Sequence, residues 1–403
     1  MKLSQKAKNA VMIGTLCSVS YLAVYIARNI LSAVTPQMVE GGYTEAYVGS
    51  VSSLYFIFYA VGQLLNGAIG DKIKAKYMIS FGLLLAGVTN LIFPYVIGHE
   101  NVAMIVYAMT GFFLSMIYGP MTKVVAENTD PIHATRCSLG YTFASFLGSP
   151  AAGLLATFLT WQSVFVTGSS ALFLMATVCF SVFTVFEHKK IVTYGQYQPS
   201  VKGTGSVKAL FEHQIVKYAV ISILTGVVRT SVVFWLPTYV SQHLCFSAKV
   251  SSSIFTAATL VISFTAFIAV FIYERLGHNI DKTVLCMFVS ATLFFVLTYL
   301  VKLPILNIVF LVLAIMSSNG AATMLWSRYC PSLRDTGMVS SATGFLDFLS
   351  YMAAAAANLI FANAVTDIGW GNLILVWIGI AAVGVIISLP YRKFKRMQND
   401  EVA

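Results

Sequence analysis

The sequence predicts an all-α membrane protein in which twelve helices cross the bilayer as two sets of six. Hydrophobic residues occupy 58% of the 403 positions and charged residues only 10%, whereas an average soluble domain has about 25% charged residues. The apolar residues gather in runs of about 20, the length that a helix needs to cross a hydrocarbon core roughly 30 Å thick. Alternating ten-residue strands, the pattern of a membrane-spanning barrel, are absent from the sequence.

Twelve apolar runs mark the predicted helices. They cover 10–36, 46–70, 77–98, 102–125, 135–159, 162–186, 214–238, 248–273, 282–301, 304–327, 336–363 and 370–391. The first run is too long for a signal peptide and has no clear small-residue cleavage site before the next run. It is therefore interpreted as the first helix of the mature protein.

The longest polar interval covers residues 187–213 and divides the predicted helices into six and six. Its mixture of Gly, Pro and Lys is typical of a mobile linker. The sequence therefore predicts an N-terminal six-helix half at 1–186, a cytoplasmic linker at 187–213, and a C-terminal six-helix half with a short basic tail at 214–403.

The basic residues predict how the chain lies in the membrane. If the N-terminus is cytoplasmic, 20 of the 25 Lys and Arg residues fall in cytoplasmic segments, and only Lys249 and Lys302 fall outside. This bias predicts a multi-pass protein of the cell (inner) membrane with both termini in the cytoplasm. The net charge of +10 is then explained by the orientation of the chain in the membrane. We therefore expect the lipid bilayer as a partner and no nucleic acid.

Enzymatic chemistry finds no support in the sequence. The six cysteines show no paired spacing, which argues against a disulfide framework and a zinc site. A Ser/His/Asp set, a metal cluster and a phosphate-cradling Gly loop are also missing from the sequence. We therefore expect a protein that is not an enzyme and uses no cofactor or metal. A separate expectation is that it functions as a monomer.

Two arginines interrupt the apolar runs at matching places. Arg28 lies eight residues before Pro36, and Arg229 lies eight residues before Pro237. Eight residues of helix put each arginine about 12 Å from its proline, near the middle of a core about 30 Å thick. A charge there costs roughly 2.5 to 3.5 kcal/mol on insertion scales, so it normally has a partner or a ligand. Either the two arginines bind an anion together, or a carboxylate or backbone carbonyls hold each one and it only stabilises the bundle.

The two halves repeat weakly in the same orientation. The stretch from Arg28 to Pro36 matches that from Arg229 to Pro237, and the acid-base doublet at 71–72 recurs at 274–275. Two parallel six-helix pseudo-repeats describe the major facilitator fold, in which the substrate site lies at the midplane between the halves.

Three segments resemble one known family. The segment GAIGDKIKAK at 67–76 resembles the major facilitator loop signature, while YIARN at 25–29 and WLPTY at 235–239 are similar to the organophosphate:phosphate antiporters. That family includes glycerol-phosphate and hexose-phosphate transporters. The resemblance implies that Arg28 and Arg229 bind the phosphate of a small phosphorylated anion, which is exchanged for inorganic phosphate. It also implies an inner gate around Asp71, for which a solvated loop charge is the alternative.

Further candidates accompany the arginines. Asp347 is the only acid clearly deep in a predicted helix, and it is expected to be a counter-ion or a proton-coupling group, unless it only makes a helix contact. The other candidate substrate-binding residues are Tyr25, Tyr59, Gln63, Tyr141 and Lys123. For Lys123, extension of its ammonium to the membrane interface is the alternative. The candidate gating residues are Asp71, Lys72, Glu274 and Arg275.

Three positions depart from the antiporter pattern. The chain has Gln63, Ser145 and Phe234 where that family often has lysine, histidine and an acid, respectively. The expected function is exchange of an organic phosphate for inorganic phosphate by alternating access of the two halves. The organic part of the substrate stays open. Two rival functions also stay open, a proton-coupled symporter that uses Asp347 and a membrane sensor of sugar phosphate.

Overall fold

The computed structural model describes residues 5–70, 73–194, 207–333 and 339–389. Regular structure in these ranges is entirely helical. Eleven described helices are long and apolar enough to cross a membrane, and the last of them runs from Ala342 to Ser388. Non-helical backbone at Gly369, with φ of 75° and ψ of 167°, breaks that helix into two. The predicted all-α membrane fold is confirmed, and Gly369 separates the predicted eleventh and twelfth helices.

The first six membrane helices precede residue 195. They are α1 Gln5–Glu40, α2 Glu45–Gly70, α3 Ala75–Val96, α4 Glu100–Asn128, α5 Pro131–Phe158 and α6 Trp161–His188. Several extend beyond the predicted apolar runs, because a helix continues through polar residues after it leaves the hydrocarbon core. We call the side of the bundle where α1 begins the near face, and the opposite side the far face.

The later membrane helices follow a short helix at Val207–Glu212. They are α7 Ile215–Gln242, α8 Ala248–Arg275, α9 Ile280–Leu300, α10 Pro304–Tyr329, and the two parts of Val339–Ser388, namely α11 at 339–368 and α12 at 370–388. Local sequence sets several starts. The side chains of Ser247 and Asn279 accept backbone N–H bonds at the starts of α8 and α9, and Pro304 occupies the first turn of α10.

Two membrane helices contain a π-helical segment. In α7 it covers Val227–Val232, and in α10 it covers Leu325–Tyr329. A π segment carries an additional residue in its turn, which changes the direction of the side chains around it, and such segments are frequent at functional sites. Arg229 lies in the first segment and Trp326 in the second.

Asn307 joins three segments near the far face, and its loss is expected to destabilise the fold. Its amide donates to the carbonyls of Thr298 (2.7 Å) and Val301 (2.9 Å), and it accepts from the Tyr239 hydroxyl (2.6 Å). Since Asn307 is only 2% exposed, Asn307→Leu leaves these groups without partners at a cost of about 1 to 3 kcal/mol. Thermal unfolding in detergent should show a clearly lower midpoint. The same change at the exposed Asn363 should not; equal midpoints would contradict the prediction.

Candidate functional site

The guanidinium of Arg28 lies in an aromatic surround. Its Nη1 donates to the hydroxyl of Tyr351 at 2.9 Å. Its Cζ lies 4.8 Å from the ring centre of Tyr351, 4.9 Å from that of Tyr59, 5.2 Å from that of Tyr25 and 5.5 Å from that of Phe56. Ring faces attract a cation, and more strongly where water is scarce. These contacts hold the charge of Arg28 without an ion pair to any of the described residues.

Arg229 reaches the same place from α7. Its Cζ lies 5.9 Å from the ring centre of Tyr351 and 6.0 Å from that of Trp326. Its Nη2 is buried and has no hydrogen-bond partner among the described residues. An unpaired, buried donor on a charged group is costly. One edge of the Arg229 guanidinium is therefore placed to bind a ligand.

Tyr351 is the residue that both arginines share, and the sequence analysis missed it. It lies on α11, where its hydroxyl accepts from Arg28 and its ring also contacts Tyr59, with ring centres 4.9 Å apart. Its signal in the sequence was its position four residues after Asp347, one helical turn along the same face. The 20 tyrosines of the chain obscured that signal.

Asp347 lies close enough to both arginines to interact with them electrostatically. It is half-buried, and within the described ranges it forms no ion pair shorter than 4.0 Å with Arg28 or Arg229. The two positive charges are therefore not neutralised by direct pairing with this acid.

The other candidate binding residues fall into two groups. Tyr25 and Tyr59 contact the Arg28 guanidinium directly. Tyr141 is buried and lies one ring further away, 6.1 Å from Tyr21, which in turn contacts Tyr25 at 4.9 Å. The half-buried side chains of Gln63 on α2 and Lys123 on α4 make no hydrogen bond to either arginine in the described structure.

Hydrogen bonds between α1–α6 and α7–α12 gather toward the far face. The pairs on that side include Ser32 with the Phe234 carbonyl (2.8 Å), Ser252 with the Ala33 carbonyl (3.2 Å), the Ala248 N–H with Glu40 (2.9 Å), Asn358 with Ser52 (2.8 Å), Thr157 with Ser253 (3.3 Å), and Gln242 with Glu45. Gln242 also accepts from the Trp370 indole at 2.9 Å. In the described part of the chain, these contacts close the far face above the arginine pair.

Close helix packing reinforces this closure at Gly49 of α2. A Cβ added there would overlap the Cβ of Ala362 and lie 3.0 Å from the Asn358 carbonyl and 3.2 Å from the Trp235 ring. Trp235 itself is fully buried. Only a glycine at position 49 lets α2, α7 and α11 approach this closely.

A protein-family model matches most of the chain. The model described as Major Facilitator Superfamily matches residues 17–358, most of the chain. The chain belongs to the Major Facilitator Superfamily. Members of this superfamily are secondary transporters rather than enzymes. The chain is therefore a multi-pass membrane protein of this superfamily.

Individual major facilitator proteins resemble the chain at low identity. The glycerol-3-phosphate transporter of Bacillus subtilis (strain 168) is 21% identical over 299 residues, which cover 68% of this chain and 64% of that protein. The membrane sensor protein UhpC of Salmonella typhimurium is 28% identical over 94 residues, 23% of this chain and 21% of the sensor. The matched regions thus span less than two thirds of these relatives.

A solved major facilitator structure agrees with the fold. The bacterial homologue of the human lysosomal transporter Spinster, crystallised in an inward-facing and unoccupied conformation, superimposes with a TM-score of 0.75. The superposition covers 96% of this chain and 97% of that one at 10% identity. At this identity the likeness supports the fold alone.

The expected major facilitator gate is only partly described. Asp71 and Lys72 lie outside the described residues. Glu274 and Arg275 are exposed at the near-face end of α8, where the Arg275 Cζ lies 5.2 Å from the Phe271 ring centre. A gating role for these four residues remains a prediction.

A charge cluster that the sequence analysis missed lies at the same face. Glu187 at the end of α6 pairs with Lys74 at 2.6 Å and with Lys76 at the start of α3. The hydrogen bond and charge of Glu187 raise the pKa of the Lys74 ammonium above its ordinary value. Since Lys74 is exposed, its pair with Glu187 is worth little on its own. The more buried Lys76 ties α3 to α6.

Tyr351→Phe tests the shared position at the arginine pair. The change keeps the ring but removes the hydroxyl that accepts from Arg28, a net loss of about 0.5 to 1.5 kcal/mol. If the site binds the transported solute, we expect the apparent affinity for that solute to fall about 2- to 10-fold, as measured by substrate concentration series in proteoliposomes. Tyr95→Phe, at a residue that is 76% exposed, is the matched control. An unchanged affinity in Tyr351→Phe would contradict a positioning role for the hydroxyl.

Proposed function

We propose that this transporter exchanges a small organic phosphate for inorganic phosphate across the cell membrane by alternating access. The observation that carries the proposal is the arginine pair. Arg28 and Arg229 come from different groups of helices, contact the same Tyr351 ring, and leave a buried guanidinium nitrogen of Arg229 without a partner.

Phosphate is the anion that this pair suits best. A guanidinium presents planar, forked donors that match two phosphate oxygens, and it stays protonated when buried. A phosphate monoester carries about −1.5 to −2 charges near pH 7, enough to neutralise two arginines at once. The aromatic rings around Arg28 are weak hydrogen-bond acceptors. The oxygens of a bound phosphate would therefore be strong acceptors for the guanidinium N–H groups.

The proposed mechanism uses the two predicted halves, 1–186 and 214–403, joined by the linker at 187–213. The positive-inside bias supports a cytoplasmic near face, so closure at the far face corresponds to a site that opens inward. A ligand shifts two conformations only through its differential affinity for them. Bound phosphate neutralises two facing cations, whose repulsion opposes reorientation of the empty carrier. The proposed result is obligate exchange by a monomer.

The relatives' names support the class of substrate without naming the substrate. A glycerol-3-phosphate transporter matches across 68% of this chain, and a probable hexose phosphate transport protein of Chlamydia pneumoniae matches across 19%. At three positions this chain has a residue other than the one that antiporters of this type often have, namely Gln63, Ser145 and Phe234. The organic part of the substrate is therefore left to experiment.

Proton-coupled symport is the second candidate, because Asp347 interacts electrostatically with both arginines without pairing directly with either. Protonation of this acid would change the net charge of the site. In that case an imposed pH gradient drives uptake into vesicles that contain no phosphate, and Asp347→Asn abolishes this uptake.

Counterflow in proteoliposomes tests these functions together. Vesicles loaded with inorganic phosphate are offered glycerol phosphate, hexose phosphates, phosphoenolpyruvate and non-phosphorylated analogues. Exchange predicts uptake only of phosphorylated compounds, and only with phosphate inside. Uptake that needs a pH gradient and no internal phosphate supports symport instead. Binding without uptake supports a sensor. Uptake of the non-phosphorylated analogue at an equal rate would overturn the proposal.

A further inference from the structure

An apolar groove lies between α8 and α10, and none of its lining residues is among those that contact Arg28 or Arg229. Its volume is about 520 Å³, and its walls are entirely apolar. One wall includes Ile254, Ala257 and Val261 of α8, and the other includes Ile305 and Val309 of α10. Their spacing of three or four residues places each set on a single helix face. Val261 is 48% exposed, Ile305 75% and Val309 45%, so the groove opens toward the lipid.

The groove runs inward from the far face. Phe246, just before α8, and Ile305, in the first turn of α10, lie at its outer end, and Leu313 lies at its inner end. The eight residues from Ile305 to Leu313 correspond to about 12 Å along the helix. This depth is close to one leaflet of a hydrocarbon core about 30 Å thick. The length and the apolar walls suit one lipid acyl chain.

An exposed lysine lies at, or just before, the far-face start of each helix that lines the groove. Lys249 lies in the first turn of α8, and Lys302 lies two residues before α10, where its Nζ reaches the Tyr299 carbonyl at 3.3 Å. Burial, and then the ammonium of Lys302, lower the pKa of the neighbouring His243, which is therefore neutral near pH 7. Lys302 thus carries the positive charge on this side of the mouth.

One acid also lies at the start of α8. Glu40 accepts the N–H of Ala248 at 2.9 Å, so its carboxylate offsets part of the charge of Lys249. The net positive charge at the mouth therefore lies on the α10 side, at Lys302. A negatively charged headgroup is complementary to that side, because a basic residue near a membrane surface attracts anionic lipid by charge.

We propose that this groove binds one acyl chain of an anionic phospholipid, whose phosphate lies against Lys302 with Lys249 beside it. The site is independent of the transported substrate. Other residues of α8 contact the first six helices, through Ser252 to the Ala33 carbonyl toward the far face and through Ser263 to the Phe146 carbonyl deeper in the bundle. A lipid that binds α8 to α10 stabilises the helix on which this closure depends.

Lipid-dependent stability of the purified full chain tests the proposal. The unfolding temperature and the lipid retained in native mass spectrometry are measured in uncharged detergent, with phosphatidylglycerol or phosphatidylcholine of identical chains. Phosphatidylglycerol should raise the unfolding temperature more and be retained more. Ala257→Trp fills the groove and should abolish the effect of both lipids. Leu260→Trp, at an exposed α8 residue outside the groove, should preserve it.

Charge variants separate the headgroup from the chain. Lys302→Gln should remove the preference for phosphatidylglycerol, whereas Lys302→Arg and the control Lys282→Gln, at an exposed residue of α9 near the opposite face, should retain it. Equal effects of the two lipids on the native chain would overturn the proposal. Full lipid retention by Ala257→Trp would also overturn it. A third contrary result is a preference for phosphatidylglycerol that is unchanged in Lys302→Gln, while Lys302→Arg behaves as the native chain.

Discussion

Arg28→Lys and Arg229→Lys are each expected to abolish phosphate-ester exchange, even though both keep the positive charge. A lysine ammonium lacks the planar fork that binds two phosphate oxygens. Each charge-assisted hydrogen bond that is lost costs about 1.5 to 3 kcal/mol, or about 10- to 150-fold in affinity. Arg28→Lys also removes the guanidinium that now contacts four aromatic rings.

Counterflow in phosphate-loaded proteoliposomes measures this effect directly. Arg136→Lys is the matched control, because Arg136 is exposed on α5 and the same substitution there should leave exchange unchanged. Reconstituted amounts and unfolding temperatures of the three variants show whether a loss of exchange is a loss of folding. Normal counterflow in Arg28→Lys or Arg229→Lys would eliminate the proposed clamp.

The double variant, with Arg28→Lys and Arg229→Lys together, tests whether the two arginines act as one unit. If the arginines bind one phosphate together, the double variant should be little worse than either single variant, because residues that act as a unit are strongly non-additive. Independent losses that simply add would indicate two separate roles, one of them structural.

The fold followed from the sequence to within a few residues, because apolar length alone specifies a membrane helix. The sequence placed Arg28 and Arg229 at equal distances from their prolines, and the structure brings both guanidinium groups to Tyr351. The π-helical turn at Val227–Val232 was not predicted. Whether an apolar helix contains a π-helical turn, with its additional residue, depends on how neighbouring helices pack against it. No local sequence pattern predicts such a turn.

Other parts of the site were missed because their signal is not local. Tyr351 lies one turn from Asp347, but it is 323 positions from Arg28, to which it is hydrogen-bonded. Glu45 and Gln242 were not singled out, since polar residues are ordinary at helix ends. Their contact with one another becomes visible only when the two groups of helices meet at the far face.

Gly49→Ala is expected to hold the far face open and slow exchange. The added methyl group would overlap Ala362 and crowd the Asn358 carbonyl, and overpacking of this kind costs about 1 to 3 kcal/mol. Since the crowding arises only when α2 meets α11 and α7, it shifts the conformational equilibrium about 5- to 150-fold toward the far-face-open state. Counterflow should fall accordingly.

A cysteine reporter measures the shift itself. Ser52→Cys, in a background where the exposed Cys245 is replaced by serine, places a thiol at the position that bonds Asn358 across the closure. Gly49→Ala should accelerate its reaction with an impermeant maleimide added at the far face. Gly379→Ala should not, because a Cβ at Gly379 meets no atom within 4 Å.

Ala362→Gly provides the decisive control for the closure. This change removes the Ala362 methyl group, with which the new methyl group of Gly49→Ala would overlap. The double variant Gly49→Ala with Ala362→Gly should therefore recover most of the exchange rate. It should also recover the slow labelling of the native chain. Recovery of this kind cannot come from a general loss of stability, because Ala362→Gly alone weakens a helix by about 1 kcal/mol. If the double variant is labelled as fast as Gly49→Ala alone, α2 and α11 do not form the far-face closure during transport.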